Sequence, residues 1–401
     1  MLQLPREYTV ALEEVLGLRL IDDRPASKET RTKLARIARD VIQLSEGLTK
    51  SREEFVRSEY LRDEDQQQAY FLYYTTTNLL KLWPPLRELA RSGFFANRSE
   101  LHHLDLGTGT GAAIWGLATY LEREQPAIST LHADARDKLA RNLRTVGQFA
   151  SNLKMSLDLR VSTSQIDLTA LAIAKDDRTF DLISLMNVLG EIDEMQDAEI
   201  IAFIDRSLAE HGAAIMIEPA SREVSRRALR FRDRMVAAGF HVFSPCCRSG
   251  DCPALEDENN WCHTEIPWKR PGFIQTIDDV AGTLRLSLKA TYAVFLREDV
   301  NLSDSFQAHR DLSSVGRVVS ERFDEKGRHR GFICNELGRW EYVMNKRDKS
   351  TTNRPVTKLE RYDLVQISGV EVREHDVKIG HESEVRVISN AECSGSVDNY
   401  G

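Results

Sequence analysis

The residues of this 401-residue chain whose types and spacing could do chemistry fall into two groups. The first is Leu104-Asp105-Leu106-Gly107-Thr108-Gly109-Thr110-Gly111, a D-x-G-x-G-x-G run that ends an apolar segment and opens a helical one. Glycines at such a junction let the backbone turn sharply and approach a ligand, while the N–H groups of the helix start face it. The form resembles the methyltransferase nucleotide loop more than the dinucleotide G-x-G-x-x-G, and it points to a nucleoside-type pocket. One strand–helix–strand unit later, Asp134 closes the run STLHAD, where a carboxylate could accept hydrogen bonds from ribose hydroxyls. The candidate cofactor-binding residues are therefore Asp105, Gly107, Gly109, Gly111, Asp134 and Asn187, the last at the end of a later apolar run. Asp105 also reads as a residue that orders the loop, and nearby Glu191 as a helix-start acid favoured by the dipole. The run contains no obvious catalytic set, and methyl transfer needs mainly positioning.

The second group is cysteine. Four of the six cysteines fall between 246 and 262, in CCRSGDCPALEDENNWCH, with five residues separating Cys246 from Cys252 and nine separating Cys252 from Cys262. In a reducing compartment such clustering points to metal or catalysis rather than to disulfides. Cys334, in RGFICNE, could complete a four-thiolate set with Cys246, Cys252 and Cys262. Soft thiolates suit tetrahedral zinc or an iron–sulfur cluster, and spacing alone leans toward zinc. Cys247 and His263 are competing ligands, and Cys393 reads as a free thiol.

The elements that must position these groups follow from apolar periodicity. Residues 1–97 read as an N-terminal helical region, with Pro84–Pro85 breaking the pattern. Residues 98–300 alternate short apolar runs with amphipathic helices, which predicts an α/β, doubly wound, Rossmann-like methyltransferase domain with a parallel sheet. The cysteine-rich segment, 245–271, is an insertion in it. Residues 305–388 show short strands and polar turns, predicting a small β-barrel-like domain, and residues 389–401 a disordered tail.

Composition narrows the function classes. A 41% hydrophobic and 29% charged chain without a long apolar stretch is globular, and a membrane protein is not expected. The N-terminus lacks both a secretory core and transit-peptide character, so the expected location is the cytoplasm. The net charge is −8, yet residues 310–361 carry 13 Lys and Arg against 8 Asp and Glu. A basic β region in an acidic chain is the footprint expected of phosphate contacts. The helix with Arg222, Arg226, Arg227, Arg230, Arg232 and Arg234 reads either as a second positive surface or as an ordinary solvated face.

The ordered set LDLGTGTGAAIW, DLISLMNVLGEI, IMIEPASREVSRRALRFRDRM, SPCCRSGDCPALEDENNWCH and GFICNELGRWEYVMNK resembles the methyltransferase-like proteins of small ribosomal subunit assembly, found in mitochondria and with bacterial relatives. The resemblance implies a four-iron, four-sulfur cluster held by Cys246, Cys252, Cys262 and Cys334. It also implies binding to the small-subunit rRNA or its ribosomal proteins during assembly. Two departures stand out: Cys247 occupies a position usually held by proline, and YYTTTNLL replaces an Arg-containing helix motif. The reading is therefore an rRNA-binding assembly factor with S-adenosylmethionine and a 4Fe–4S cluster as cofactors. Its rivals are an active S-adenosylmethionine-dependent rRNA methyltransferase and a zinc-stapled methyltransferase acting on another substrate.

Overall fold

The computed structural model describes residues 1–21, 27–50, 63–169, 178–306 and 315–389. Cys393 and the expected tail beyond Ser389 lie outside the described residues. Contacts divide the chain into two compact units that do not follow chain order. The first comprises Met1–Trp83, Asn97–Phe203 and Ile266–Leu288; the second Pro84–Ala96, Ile204–Glu265 and Lys289–Gly401.

In the first unit a short strand, β1 (Leu2–Gln3), pairs in parallel with β8 (Thr264–Lys269) through Leu2↔Trp268, so the N-terminal region is not purely helical. Helices α1 (Arg6–Leu16) and α2 (Lys28–Lys50) follow. Leu34, Ile37, Ala38, Val41 and Leu44 recur at helical spacing in α2 and are buried, which is why this stretch folds as an amphipathic helix. A further helical run comprises α3 (Glu64–Ala69), a π-helical turn (Tyr70–Thr75), α4 (Thr76–Leu79) and a 3-10 turn (Leu80–Leu82). Pro84 and Pro85 do not break a helix here. They sit in the first turn of α5 (Trp83–Ala90), where a missing N–H costs nothing.

The core of this unit is a parallel sheet of β2 (Glu100–Leu106), β3 (Thr130–Asp137), β4 (Asp158–Gln165) and β5 (Phe180–Met186), in the order β5-β2-β3-β4. Between the strands run α6 (Ala112–Glu124) and α7 (Ala140–Asn152). The chain starts at an inner strand, steps outward twice, and returns to the other side of β2, which is the Rossmann-like switch expected from the sequence. The glycine loop leaves the carboxyl end of β2 at that switch point.

The second unit takes in Pro84–Ala96, and with it most of α5, then resumes within α8 (Asp197–Ser207) and contains β6 (Leu208–Pro219), α9 (Arg222–Ala237), β7 (His241–Ser244) and, after α10 (Gly272–Ala281) of the first unit, most of β9 (Ser287–Leu296). Here the parallel expectation fails: β9 runs antiparallel to both β6 and β7. Its second sheet has the order β15-β16-β13-β12-β10-β14-β17, with β11 beside β12. Those strands are β10 (Val315–Val318), β11 (Phe323–Glu325), β12 (Arg328–Asn335), β13 (Gly338–Asn345), β14 (Leu364–Ser368), β15 (Glu371–Val372), β16 (Val377–Lys378) and β17 (Glu384–Ser389). Among the described residues β15 and β17 end the order, so the sheet is open rather than a closed barrel. Ile333, Tyr342, Met344, Val365 and Ile367 form its apolar core.

Candidate functional site

Two cavities carry the chemistry, one in each unit. The first opens at the glycine loop and is lined by Gly107, Gly109, Asp137, Asn142, Asp167, Asn187 and Glu191, and by Tyr70, Thr75 and Asn78 from the helical run. Gly107, Gly109, Gly111 and Asn187 all have positive φ, at 70°, 54°, 88° and 59°. Gly111 is the N-cap of α6, whose first turn faces the loop. Thr75 and Thr110 hydrogen-bond through their hydroxyls, tying the π-helical turn to the loop. That turn overlaps the segment YYTTTNLL at residues 73–75. A π-helical turn repositions side chains that a regular helix would place elsewhere.

Asp105 does not line the cavity. It is buried beneath the loop, accepting from Thr108 Oγ1 at 2.6 Å and from Ser184 Oγ at 2.5 Å. Ser184 in turn accepts from His103 Nε2 at 2.8 Å, since its own proton is committed to the carboxylate. Burial pushes the carboxyl of Asp105 up from 3.8 to about 6, against the lowering effect of its two hydroxyl donors. Burial also lowers His103 to about 3, so the imidazole stays neutral. The role of Asp105 is to order the loop. Ionising it costs the folded state, so its contribution is fully present below about pH 4 and lost as pH rises through about 6. The shift corresponds to about 3 kcal/mol. Wild type is expected to gain roughly that stability relative to Asp105→Asn between pH 7 and pH 4, read from paired denaturant titrations.

Asp134 is the sequence expectation that the structure corrects. Leu104 pairs with Asp134 and Leu106 with Arg136, so Asp134 lies two residues, about 7 Å, short of the loop. Its buried carboxylate pairs with Arg136 at 3.3 Å and with Arg178 at 2.7 Å, and it does not reach the cavity. The strand continues to Asp137, which does. Asp137 accepts from the N–H groups of Gly109 and Leu139, both at 2.8 Å, and from Asn142 Nδ2 at 3.2 Å. Burial raises its carboxyl above the ordinary range, and these donors offset part of the rise.

The second cavity is lined by all four cysteines singled out from the sequence: Cys246, Cys252, Cys262 and Cys334. Cys246 faces it, whereas the adjacent Cys247 is buried away from it and burial pushes its thiol up to about 12. His263 is not a wall residue; its Nε2 lies 3.5 Å from Glu265. Burial lifts the thiols of Cys252, Cys262 and Cys334 above the ordinary range, and neighbouring cysteines lift each further. A metal that binds there must displace protons. Among the described residues no three cysteine sulfurs lie within 4.8 Å of one another. Tetrahedral zinc, at about 2.3 Å from each sulfur, would draw them to about 3.8 Å. Four thiolates lining one cavity suit either tetrahedral zinc or an iron–sulfur cluster.

Two of the arginines of α9, Arg226 and Arg232, serve this loop. Arg226 donates to the carbonyls of Ala254, Asp257 and Asn260 at 3.1, 2.8 and 2.8 Å. Arg232 is buried and donates to those of Gly250 and Arg248. Asp233 accepts from the Cys252 N–H at 3.1 Å, and Leu229 packs on Cys252 and Ala254. One face of a rigid helix thereby holds the backbone of a loop with little secondary structure of its own. On the far wall, Arg317 of β10 reaches Pro245 O at 3.0 Å, Tyr362 O at 2.8 Å and Glu88 Oε1 at 3.1 Å. Tyr292 donates to the other Glu88 oxygen at 2.7 Å, and the hydroxyl of Tyr362 lies 3.6 Å from Cys262 Sγ.

The sequence family described as Mitochondrial small ribosomal subunit Rsm22 matches residues 65–354, a span that takes in both cavities. The chain belongs to that family. Curated proteins supply no match. Solved structures similar to the chain include a TehB-like SAM-dependent methyltransferase from Corynebacterium glutamicum, 18% identical over 53% of this chain and 88% of that one, with a TM-score of 0.30. A methyltransferase from Pyrococcus furiosus is 13% identical over 52% and 82%, at 0.31. The glycopeptide N-methyltransferase MtfA complexed with sinefungin is 10% identical over 54% and 87%, at 0.33. The Rossmann-like assignment rests on the strand order and the glycine loop at the switch point. No helix among the described residues is long and apolar enough to cross a membrane.

Proposed function

We propose that this Rsm22-family chain is a cytoplasmic, rRNA-binding assembly factor of the small ribosomal subunit, carrying a 4Fe–4S cluster in the cysteine cavity and S-adenosylmethionine in the glycine-loop cavity. The observation that carries the reading is the convergence of Cys246, Cys252, Cys262 and Cys334 on one cavity. These four residues would hold the cluster, which supplies cross-linking of the 246–262 loop to β12. The chain's own part is to present thiols on a loop already fixed by Arg226, Arg232 and Asp233. In the glycine-loop cavity, Asp137 is placed to accept from ribose hydroxyls, and the start of α6 faces the ligand's polar groups.

RNA binding is supported by a cluster of cations. Lys326, Lys346, Arg347 and Lys349 are exposed, and Lys346 N bonds to Gly327 O at 2.9 Å, so the hairpin turn and the end of β13 meet at one end of the ladder. Exposed Arg354 and Lys358 follow in the next loop. Several β-sheet arginines are, by contrast, spent on pairs such as Arg322–Asp324 and Arg330–Glu341, which lowers the count available for phosphate.

The test is anaerobic purification of the full chain with iron and sulfide analysis and sequencing of co-purified RNA. Four irons and four sulfides per chain are expected from the cluster assignment, with small-subunit RNA enriched. In Cys252→Ser the iron should fall to background. Preparations without iron and sulfide would overturn the cluster assignment, and RNA unrelated to the small subunit would overturn the partner. Active methyl transfer is the second reading, favoured by Asn187, a non-glycine residue at φ 59° on the cavity wall. Strained backbone of this kind concentrates at functional sites. It requires methyl incorporation into small-subunit RNA from labelled S-adenosylmethionine.

A further inference from the structure

At the amino ends of β2 and β3, opposite the glycine loop, the register creates a second cluster of ligand atoms. Glu100 and His102 are two apart on β2 and so share a face, and His102 pairs directly with His132 of β3. One ligand atom from each of the three lies within 4.8 Å of the other two. The two imidazole rings are parallel to within 5°, with centroids 4.5 Å apart, and His132 Nε2 lies 3.4 Å from Glu100 Oε2. Glu100 and His102 are exposed and His132 is half-buried, so the atoms can be reached from solvent without unfolding.

We propose that Glu100, His102 and His132 form a surface site for a divalent transition-metal ion. The donor set, two imidazole nitrogens and one carboxylate oxygen, suits zinc, copper or nickel and is poorly matched to magnesium or calcium. Three protein ligands leave coordination positions open for water or an anion. Parallel strands hold the ligands' Cα atoms on a fixed lattice, so binding needs only rotamer adjustment that closes the nitrogens onto the ion. The surrounding charges are compatible. Arg160, beside His132 on β4, is committed to Asp158 at 2.7 Å, and Asp181, beside His102 on β5, accepts the His102 N–H at 2.8 Å and pairs with Arg98.

In protein prepared without a cluster the cysteine cavity would also bind such ions, so the test uses cluster-free protein and must separate the two. Cobalt(II) does so: thiolate ligation gives intense near-ultraviolet charge-transfer absorption, whereas imidazole and carboxylate ligation gives only weak visible bands. Cobalt is titrated calorimetrically and optically into the full chain, into His102→Ala, His132→Asn and Glu100→Gln, and into Cys252→Ser. Outer-shell substitutions at metal sites already cost roughly 10–100-fold, so losing a histidine ligand should weaken one equivalent of binding by at least about tenfold. Glu100→Gln should weaken it less. The charge-transfer band should be unchanged in these three variants and reduced in Cys252→Ser, which keeps the weak-band equivalent. Melting temperatures of the metal-free variants should match wild type, since the substituted side chains project from an exposed row. Identical titrations of wild type and both histidine variants would overturn the site, as would a wild-type titration in which every bound equivalent develops thiolate absorption.

Discussion

Arg317→Met is expected to destabilise the second unit by about 3–5 kcal/mol, the cost of leaving one member of a buried ion pair without its partner. Arg317 and Glu88 are almost fully buried, with side-chain exposures of 5% and 11%, and their approach is 3.1 Å. The Glu88 carboxylate would retain only the Tyr292 hydroxyl. Two backbone carbonyls, of Pro245 and Tyr362, would lose their donor at the same time. Pro245 precedes Cys246, and the Tyr362 hydroxyl sits against Cys262, so the loss should reach the proposed cluster site as reduced iron content. Guanidinium-chloride unfolding of holoprotein, with iron analysis on the same samples, measures both.

A second variant separates charge from geometry. Replacing a buried pair by apolar residues of similar volume is often neutral or stabilising. Glu88→Leu combined with Arg317→Met should therefore recover most of the lost stability. It should not recover the iron content fully, because neither apolar side chain can hold the Pro245 and Tyr362 carbonyls. Recovery of both would mean that Arg317 matters only as the counter-ion of Glu88. Recovery of neither would mean that the carbonyl contacts dominate the energetics as well.

What could be read from the sequence and what could not divides along the range of the interactions. The glycine loop and the three clustered cysteines are local patterns, and the structure places Gly107 and Gly109 on one cavity and Cys246, Cys252 and Cys262 on the other. Asp134 was a reasonable ribose ligand only while the strand was taken to end there. Where β3 ends is fixed by its pairing with β2 and β4, through Asp137↔Gln165, which no window around residue 134 contains. Tyr70, Thr75 and Asn78 reach the cavity through tertiary packing of a helical run that lies about 30 residues before the loop in the sequence. The arginines of α9 were ambiguous because an amphipathic pattern records which face is polar and not what that face meets. A signal was nevertheless present. A loop as long as 245–263 with few strands or helices of its own leaves backbone carbonyls that must find donors when buried, and a neighbouring arginine-rich helix is an economical source. The runs that form β6, β7 and β9 were legible as strands, but the antiparallel direction of β9 was not, because apolar runs buried on both faces do not record direction.

The sharpest test of the glycine-loop cavity is Gly107→Ala compared with Gly109→Ala. Both glycines have positive φ, 70° and 54°, where an L-residue pays roughly 1–2 kcal/mol. They differ in surroundings. A Cβ at Gly107 would stand 2.5 Å from Val188 Cγ2 and 3.3 Å from Cγ1, while one at Gly109 would meet nothing within 4 Å. Val188 cannot simply retreat, because it is buried and follows Asn187, whose own backbone is in the left-handed region. The overpacking adds about 1–3 kcal/mol, so Gly107→Ala should cost about 2–5 kcal/mol in denaturant unfolding and Gly109→Ala no more than about 2. Binding should invert that order of severity in part. Gly109 sends its N–H to Asp137 and lines the cavity, so a methyl there projects into the space a nucleoside would fill. Calorimetry with S-adenosylhomocysteine should then show weakened affinity in both variants, with unfolding stability largely retained only in Gly109→Ala. If Gly109→Ala binds as wild type does, the ligand does not approach the loop at its middle glycine. The role of the cavity would then have to be sought on the side of Tyr70, Thr75 and Asn78.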